Sequence, residues 1–152
     1  MKNQNDAPRL ITCAYEREQH EYKKWKNMSM IDDYRKGWAL RYLREAKAEL
    51  IAAQKTPYMA PSLILEALKK AQAAIYYSLG DPASIETIVR QTLHTKRRVE
   101  DPVLKCLVEI ERTVQEVTRT VESEREKAFN QANDFVRIAK EIVELCTDER
   151  TD

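Results

Sequence analysis

The apolar positions in the last third of the chain recur with the spacing of a helix. Their steps alternate between three and four residues in two stripes: Val103, Leu107, Ile110, Val114, Val117 and Val121, then Ala128, Ala132, Phe135, Ala139, Ile142 and Cys146. This spacing is typical of helices that bury one face. Between the stripes, Ser123 and Glu126 match the S-x-x-E capping box of a helix start. We therefore predict a helix over about 102–120 and another through about 146, although propensity alone also allows one long helix.

Similar stripes predict three more helices toward the N-terminus, over about 31–55, 62–79 and 83–98. Their apolar residues are, in that order, Ala39, Leu43, Ala46, Leu50 and Ala53; Ile64, Ala67, Leu68, Ala71, Ile75 and Leu79; and Ile85, Ile88, Val89 and Leu93. A charged segment over about 9–26 predicts a further, N-terminal helix. No alternating pattern typical of strands competes with these assignments.

Residues that favour helix ends accompany the stripes. Two pairs combine an N-cap with a proline at the first helical position, Asp81-Pro82 and Asp101-Pro102. Ser62 is predicted to cap the helix over 62–79, and Gly80 to follow that helix in the left-handed conformation. The expected fold is an all-α, antiparallel up-down helical bundle of four core helices plus an N-terminal helix. We expect a charged helical extension over 1–30 and one bundle domain over 31–152.

Composition narrows the class of protein. Hydrophobic residues make up 43% of the chain and charged residues 34%, and no apolar run is long enough to span a membrane. The chain begins without an apolar signal region, and its three cysteines are widely spaced with no CxxC motif. We therefore expect a cytoplasmic protein without a membrane association. The two histidines lie at no metal-ligand spacing, so neither a metal nor another cofactor is expected.

Charge is distributed unevenly along the chain. Residues 1–99 carry 18 Lys and Arg against 11 Asp and Glu, whereas residues 100–152 carry 8 against 14. A basic first part favours a polyanionic partner, but basic helices packed beside acidic ones would give the same distribution. The densest basic cluster, a candidate polyanion site, consists of Arg90, His94, Lys96, Arg97 and Arg98. These cations equally suit a solvated helix end, where they complement the helix dipole.

Aromatic residues alternate with basic ones in two segments, YKKWK at 22–26 and YRKGW at 34–38. Such a pattern can stack bases while binding phosphates, although aromatics at helical spacing more often belong to a core or a protein interface. Four aromatic side chains are candidates for an interface, Tyr15, Tyr22, Trp25 and Tyr34. Because a monomer would expose this apolar surface, we expect a homodimer.

Three segments resemble the helices of HEPN domains. YLREAKAELIAA at 42–53 resembles their opening helix, LEALKKAQAAIYYSLG at 65–80 their second helix, and EKAFNQANDFVRI at 126–138 their last helix. The resemblance implies a helical bundle, usually dimeric, from prokaryotic toxin–antitoxin, defence and nucleotidyltransferase-partner systems. Active members are RNases in which a histidine follows an arginine by four to six residues. Arg112 is the best positional match for that arginine, but Val117, Thr118 and Arg119 follow it where the histidine is expected.

Three function classes follow from these observations. The first is a non-catalytic HEPN-like module that binds a partner protein, a nucleotide or RNA, with a nucleotidyltransferase-type or effector-complex protein as partner. The second is a small all-α RNA-binding subunit of a CRISPR effector complex. The third is an RNase that uses a degenerate pair, Arg90 and His94. The first class is favoured because no histidine follows Arg112 to act as a general base.

Overall fold

The computed structural model describes residues 31–151, and these form an all-α helical bundle as predicted. Its five helices are α1 (Asp33–Lys55), α2 (Ala60–Leu79), α3 (Pro82–His94), α4 (Pro102–Thr120) and α5 (Arg125–Thr147), with a short 3-10 helix, Pro57–Met59, between α1 and α2. Four of the helices are long and α3 is short. No strand occurs in this part of the chain, and none of its helices has the length and apolar character needed to cross a membrane.

Helices α1 and α2 pack antiparallel along their lengths. Trp38 near the start of α1 stacks on Tyr77 near the end of α2, and Lys70 near the middle of α2 binds Glu49 of α1 at 2.6 Å. All five apolar residues predicted for the α1 stripe are buried. At the N-terminus of α1, the Asp32 carboxylate accepts a hydrogen bond from the Arg35 backbone N–H, which satisfies one of the unpaired donors of the first turn.

Helix α2 lies at the centre of the bundle and packs against each of the other four helices. It begins at Ala60, two residues before the predicted cap Ser62, because Pro61 fits the first turn, where no backbone donor is needed. Its buried face is rich in small side chains, Ala60, Ala67, Ala71 and Ala74, which let neighbouring backbones approach closely. Leu79, predicted to be buried, is 40% exposed at the end of the helix.

The connection from α2 to α3 differs from the prediction at Gly80. Its φ of 173° is extended rather than left-handed, so glycine is not required here by backbone conformation. A Cβ at this position would instead lie 3.2 Å from Cδ1 of Ile85. The close packing against α3 therefore favours glycine, which has no side chain. The predicted caps at Asp81 and Asp101 are confirmed, since each carboxylate accepts a hydrogen bond from a backbone N–H three residues later.

Helix α3 ends earlier and docks less deeply than predicted. It stops at His94 rather than 98, because Thr95 adopts an extended conformation and its hydroxyl donates to the Thr92 carbonyl. Of its apolar residues only Val89 is buried, and Ile88 is 49% exposed. Val103 at the start of α4 was also predicted to be buried, yet it is 56% exposed. The bundle therefore buries only the Val89 side of α3, and the start of α4 is partly exposed.

The predicted break between α4 and α5 is confirmed, but the predicted capping box is wrong. Ser123 donates its hydroxyl and its backbone N–H to the Thr120 carbonyl, so it closes the end of α4 instead of capping α5. Helix α5 follows without a side-chain cap. Arg125 at its start donates to the Pro57 carbonyl, and Lys36 of α1 pairs with Glu149 beyond its end. Helix α5 is therefore antiparallel to α1.

Several predictions concern residues outside the described part of the chain. These are the charged extension over 1–30, the helix over 9–26 and the interface residues Tyr15, Tyr22 and Trp25. Each stays a prediction.

Candidate nucleic-acid interface

Four aromatic rings meet where the start of α1 packs on the end of α2. Trp38 contacts three of them, with ring centroids 6.3 Å from Tyr34, 5.6 Å from Tyr42 and 6.2 Å from Tyr77. The ring centroids of Tyr42 and Tyr77 are 5.7 Å apart. Trp38 and Tyr42 both stack on Tyr77, each with an angle of 23° between the ring planes. We refer to Tyr34, Trp38, Tyr42 and Tyr77 as the aromatic cluster.

Helical spacing explains how the cluster forms. Tyr34, Trp38 and Tyr42 are four residues apart and therefore share one face of α1. Tyr77 joins them from the last turn of α2 because the two helices are antiparallel. Trp38, Tyr42 and Tyr77 are half-buried, whereas Tyr34 is 68% exposed at the open end of the row. Loss of hydration raises the pKa of the Tyr77 hydroxyl above its ordinary value.

Cationic side chains border the aromatic cluster. The guanidinium carbon of Arg41 lies 5.0 Å from the centroid of the Trp38 ring, within the range of a cation–π interaction. Arg41 also donates to Glu45 at 2.9 Å, and this hydrogen bond lowers the pKa of the Glu45 carboxyl. Arg35, about one turn before Trp38 on α1, donates to Asp32 at 3.1 Å. The Arg41 side chain is 62% exposed, so its charge remains accessible from solvent.

The geometry suits planar and anionic groups together. Gly37 lies beside the cluster on α1, and no neighbouring side chain among residues 31–151 comes within 4 Å of the place where its Cβ would be. A planar base could therefore approach the exposed face of Tyr34 while Arg41 contacts a phosphate. Base–aromatic stacking of this kind tolerates any base, since every base has a π-face.

The structure separates the basic cluster predicted over 90–98 into two parts. Arg90 and His94 lie on α3, whereas Lys96, Arg97 and Arg98 are exposed in the linker that follows it. Arg90 pairs with Glu86 at 2.6 Å along its own helix. Within the described part of the chain no aromatic ring contacts these residues, so the structure shows cations here without a stacking surface.

A polar network missed by the sequence analysis lies beside Arg90. Gln72 of α2 donates its side-chain amide to the Tyr76 hydroxyl at 3.1 Å and to Glu111 of α4 at 2.5 Å. Tyr76 is buried, and the loss of hydration, with the Glu111 charge as a second cause, raises the pKa of its hydroxyl to about 12. Carboxylates thus share this corner of the bundle with Arg90, which weakens its attraction for a polyanion.

Arg112, the match for the HEPN arginine, lies on the exposed side of α4 and donates to Glu109 at 2.6 Å. Val117, which follows it, is buried, whereas Thr118 and Arg119 face solvent. Within residues 31–151 no three His, Cys, Asp or Glu side chains are arranged to hold a metal ion. Among residues 31–151, the contact of Arg112 is this intrahelical ion pair, and no histidine follows it on α4.

The aromatic cluster could be predicted only in part. Tyr34 was singled out as an interface residue, and the four-residue spacing to Trp38 and Tyr42 is visible in the sequence. Tyr77 was missed because it belongs to another helix and joins only through tertiary packing. Comparison of the chain with family models, with curated proteins and with solved structures gives no match.

Proposed function

We propose that this protein is a non-catalytic helical-bundle module that binds single-stranded RNA on the aromatic cluster and its bordering arginines. The observation that carries the proposal is the aromatic cluster itself, in which Arg41 lies over Trp38, Trp38 stacks on Tyr77, and Tyr34 is exposed at the end. Non-specific single-strand binding commonly combines aromatic stacking with cations along the backbone path. The resemblance to HEPN domains adds a prokaryotic defence or toxin–antitoxin system as the proposed setting.

The aromatic cluster supports this proposal better than the basic cluster over 90–98 does. Both present arginines to solvent, but only the first also presents an aromatic face. Stacking contributes roughly 1–3 kcal/mol per base, in addition to the salt-dependent phosphate contacts. Arg90 is moreover paired with Glu86 and lies near the Gln72–Glu111 network.

Fluorescence anisotropy with a labelled uridine oligonucleotide tests the proposal. Tyr34→Ala should weaken binding about 5- to 150-fold, because it removes a stacking face worth roughly 1–3 kcal/mol. Arg41→Ala should reduce the slope of log affinity against log salt by about 0.7, as expected when one phosphate contact is lost. Both variants alter exposed side chains and should leave the fold intact.

The chain offers matched controls for both variants. Tyr58 is an exposed tyrosine outside the cluster, and Arg137 is an exposed arginine paired with Asp134 in its own helix. Tyr58→Ala and Arg137→Ala should bind RNA like the wild type. The proposal is wrong if the wild type shows no binding at about 50 mM salt. It is also wrong if combined alanine substitution of Lys96, Arg97 and Arg98 abolishes binding while Tyr34→Ala does not.

A further inference from the structure

A cavity of about 260 Å³ lies between α1 and the segment that follows α5. Leu40 and the buried side chain of Leu43 contribute the apolar part of its wall. Arg44, Lys47 and Arg150 contribute three cationic side chains. An apolar wall with a few convergent polar groups is typical of small-molecule sites.

Specific contacts hold the segment after α5 against the cavity. Asp148 has a φ of 57°, a left-handed conformation that turns the chain at the end of α5. Glu149 then pairs with Lys36 of α1 at 2.6 Å. Thr151 donates its backbone N–H and its hydroxyl to one oxygen of Glu144, at 2.7 Å and 3.0 Å. Arg150 is thus fixed between two anchored residues.

The charge lining the cavity is predominantly positive. Among the residues between 31 and 151 that line the cavity, Glu149 is the one carboxylate, and its ion pair with Lys36 balances its charge. The hydrogen bond from the Thr151 backbone N–H lowers the pKa of the Glu144 carboxyl. Arg44 forms no hydrogen bond or ion pair with other residues between 31 and 151, so its guanidinium is available to a ligand.

We propose that this cavity binds a small organic anion, in which one ring or short chain carries a phosphate or carboxylate group. Its volume exceeds the roughly 150 Å³ of a cavity that holds benzene. It falls below the roughly 300–1,000 Å³ of pockets for drug-sized ligands. The apolar part would contact Leu40, and the anionic group would contact Arg44 and Arg150.

This site is separate from the RNA surface proposed above. The aromatic cluster lies on the side of α1 that packs against α2, since Trp38 and Tyr42 stack on Tyr77. The cavity lies on the side of α1 that meets the end of α5. Arg41 and Arg44, three residues apart on α1, therefore serve as reciprocal controls.

Titration followed by two-dimensional NMR tests the site with four probes, phenyl phosphate, benzoate, phenol and inorganic phosphate. Phenyl phosphate or benzoate at millimolar concentration should shift the signals of Leu40, Leu43 and Thr151. Phenol and inorganic phosphate should each bind at least about tenfold more weakly, because each lacks one half of the recognised chemistry. The stronger of the two organic anions identifies the charged group that the site prefers.

Variants decide whether the cavity is responsible. Arg44→Gln and Arg150→Gln should each weaken binding of the organic anion about tenfold or more, as expected for a hydrogen bond to a charged group. Arg41→Gln should leave it unchanged. The proposal is overturned if neither organic anion binds, if inorganic phosphate binds as tightly as phenyl phosphate, or if both cavity variants bind like the wild type. RNA binding by Arg44→Gln is measured in parallel and should equal that of the wild type. The two measurements therefore show separately whether the cavity proposal or the RNA-binding proposal fails.

Discussion

The two basic regions of the molecule differ in what surrounds their cations. In the aromatic cluster, Arg41 lies over the Trp38 ring, which is stacked on Tyr77 and tilted against Tyr42. In the corner formed by α3 and the linker after it, Arg90 faces Glu86, and Lys96 to Arg98 project into solvent. The first region is fixed by packing between two long helices, whereas the second depends on a short helix with one buried side chain.

This difference shows why cation density alone is a weak guide to a binding site. The cluster over 90–98 is the denser one in the sequence, but neighbouring carboxylates offset part of its charge. The region around Trp38 has fewer cations, yet rigid rings position one of them. Positioned groups lose less conformational entropy when a ligand binds, so they contribute more to affinity.

The largest effect is expected from removing the central ring of the aromatic cluster. Trp38→Ala eliminates three ring contacts and the Arg41 contact, and we expect a loss of about 2–3 kcal/mol in the free energy of unfolding. Ile88→Ala on α3, where the side chain is 49% exposed, should cost less than about 1 kcal/mol. Urea denaturation measures both. If both variants lost the same free energy of unfolding, the side chains of α3 would be as tightly packed as those between α1 and α2, which would contradict the comparison.

A smaller effect is expected at the cap of α3. Hydrogen bonds from the Ser84 hydroxyl and backbone N–H hold the pKa of Asp81 below its ordinary 3.8. The ionised cap therefore stabilises the fold above that value, and this contribution is lost as the pH falls through the lowered pKa. Asp81→Ala should lower the melting temperature near neutral pH and match the wild type more closely at about pH 2.

Asp81→Asn is the matched control for this pH dependence, because asparagine caps a helix without titrating in this range. It should melt close to the wild type near neutral pH and retain its cap in acid. A difference between Asp81→Ala and the wild type that persists unchanged in acid would contradict the role given to the carboxylate.

No effect at all is expected from His94→Ala on RNA cleavage. His94 is exposed at the end of α3, one turn after Arg90, and Arg90 is paired with Glu86. We expect neither the wild type nor the variant to cleave a labelled RNA, because Val117, Thr118 and Arg119 follow Arg112 where a histidine would act as general base. Cleavage by the wild type that disappears in His94→Ala would instead assign Arg90 and His94 to an active site.

The helices could be predicted because their signals are local. The stripe of α1 and the aspartate caps at 81 and 101 depend on residues within a few positions of one another. Two of the errors occurred at helix ends, where a local signal can be read in more than one way. Ser123 is predicted to start α5, but it closes the end of α4. Helix α3 is predicted to continue through Arg98, but Thr95 ends it, so Lys96 to Arg98 lie in the linker.

The candidate sites were less predictable because they join distant parts of the chain. Arg44 and Arg150 meet only after α5 packs antiparallel to α1 and the chain turns at Asp148. No spacing rule connects residues that far apart.

The homodimer is still a prediction, since the exposure of Tyr34 is consistent with either a protein or an RNA surface.

The alanines of α2 also affect how the centre of the bundle is ordered. A methyl side chain has no rotamers to lose on folding, whereas a long side chain gives up roughly 0.5–2 kcal/mol of conformational entropy. Ala67, Ala71 and Ala74 are fully buried. Helix α2, which packs against all four other helices, is therefore ordered with little loss of side-chain entropy. The same close packing disfavours larger side chains, so a larger residue at any of these positions would overpack the core.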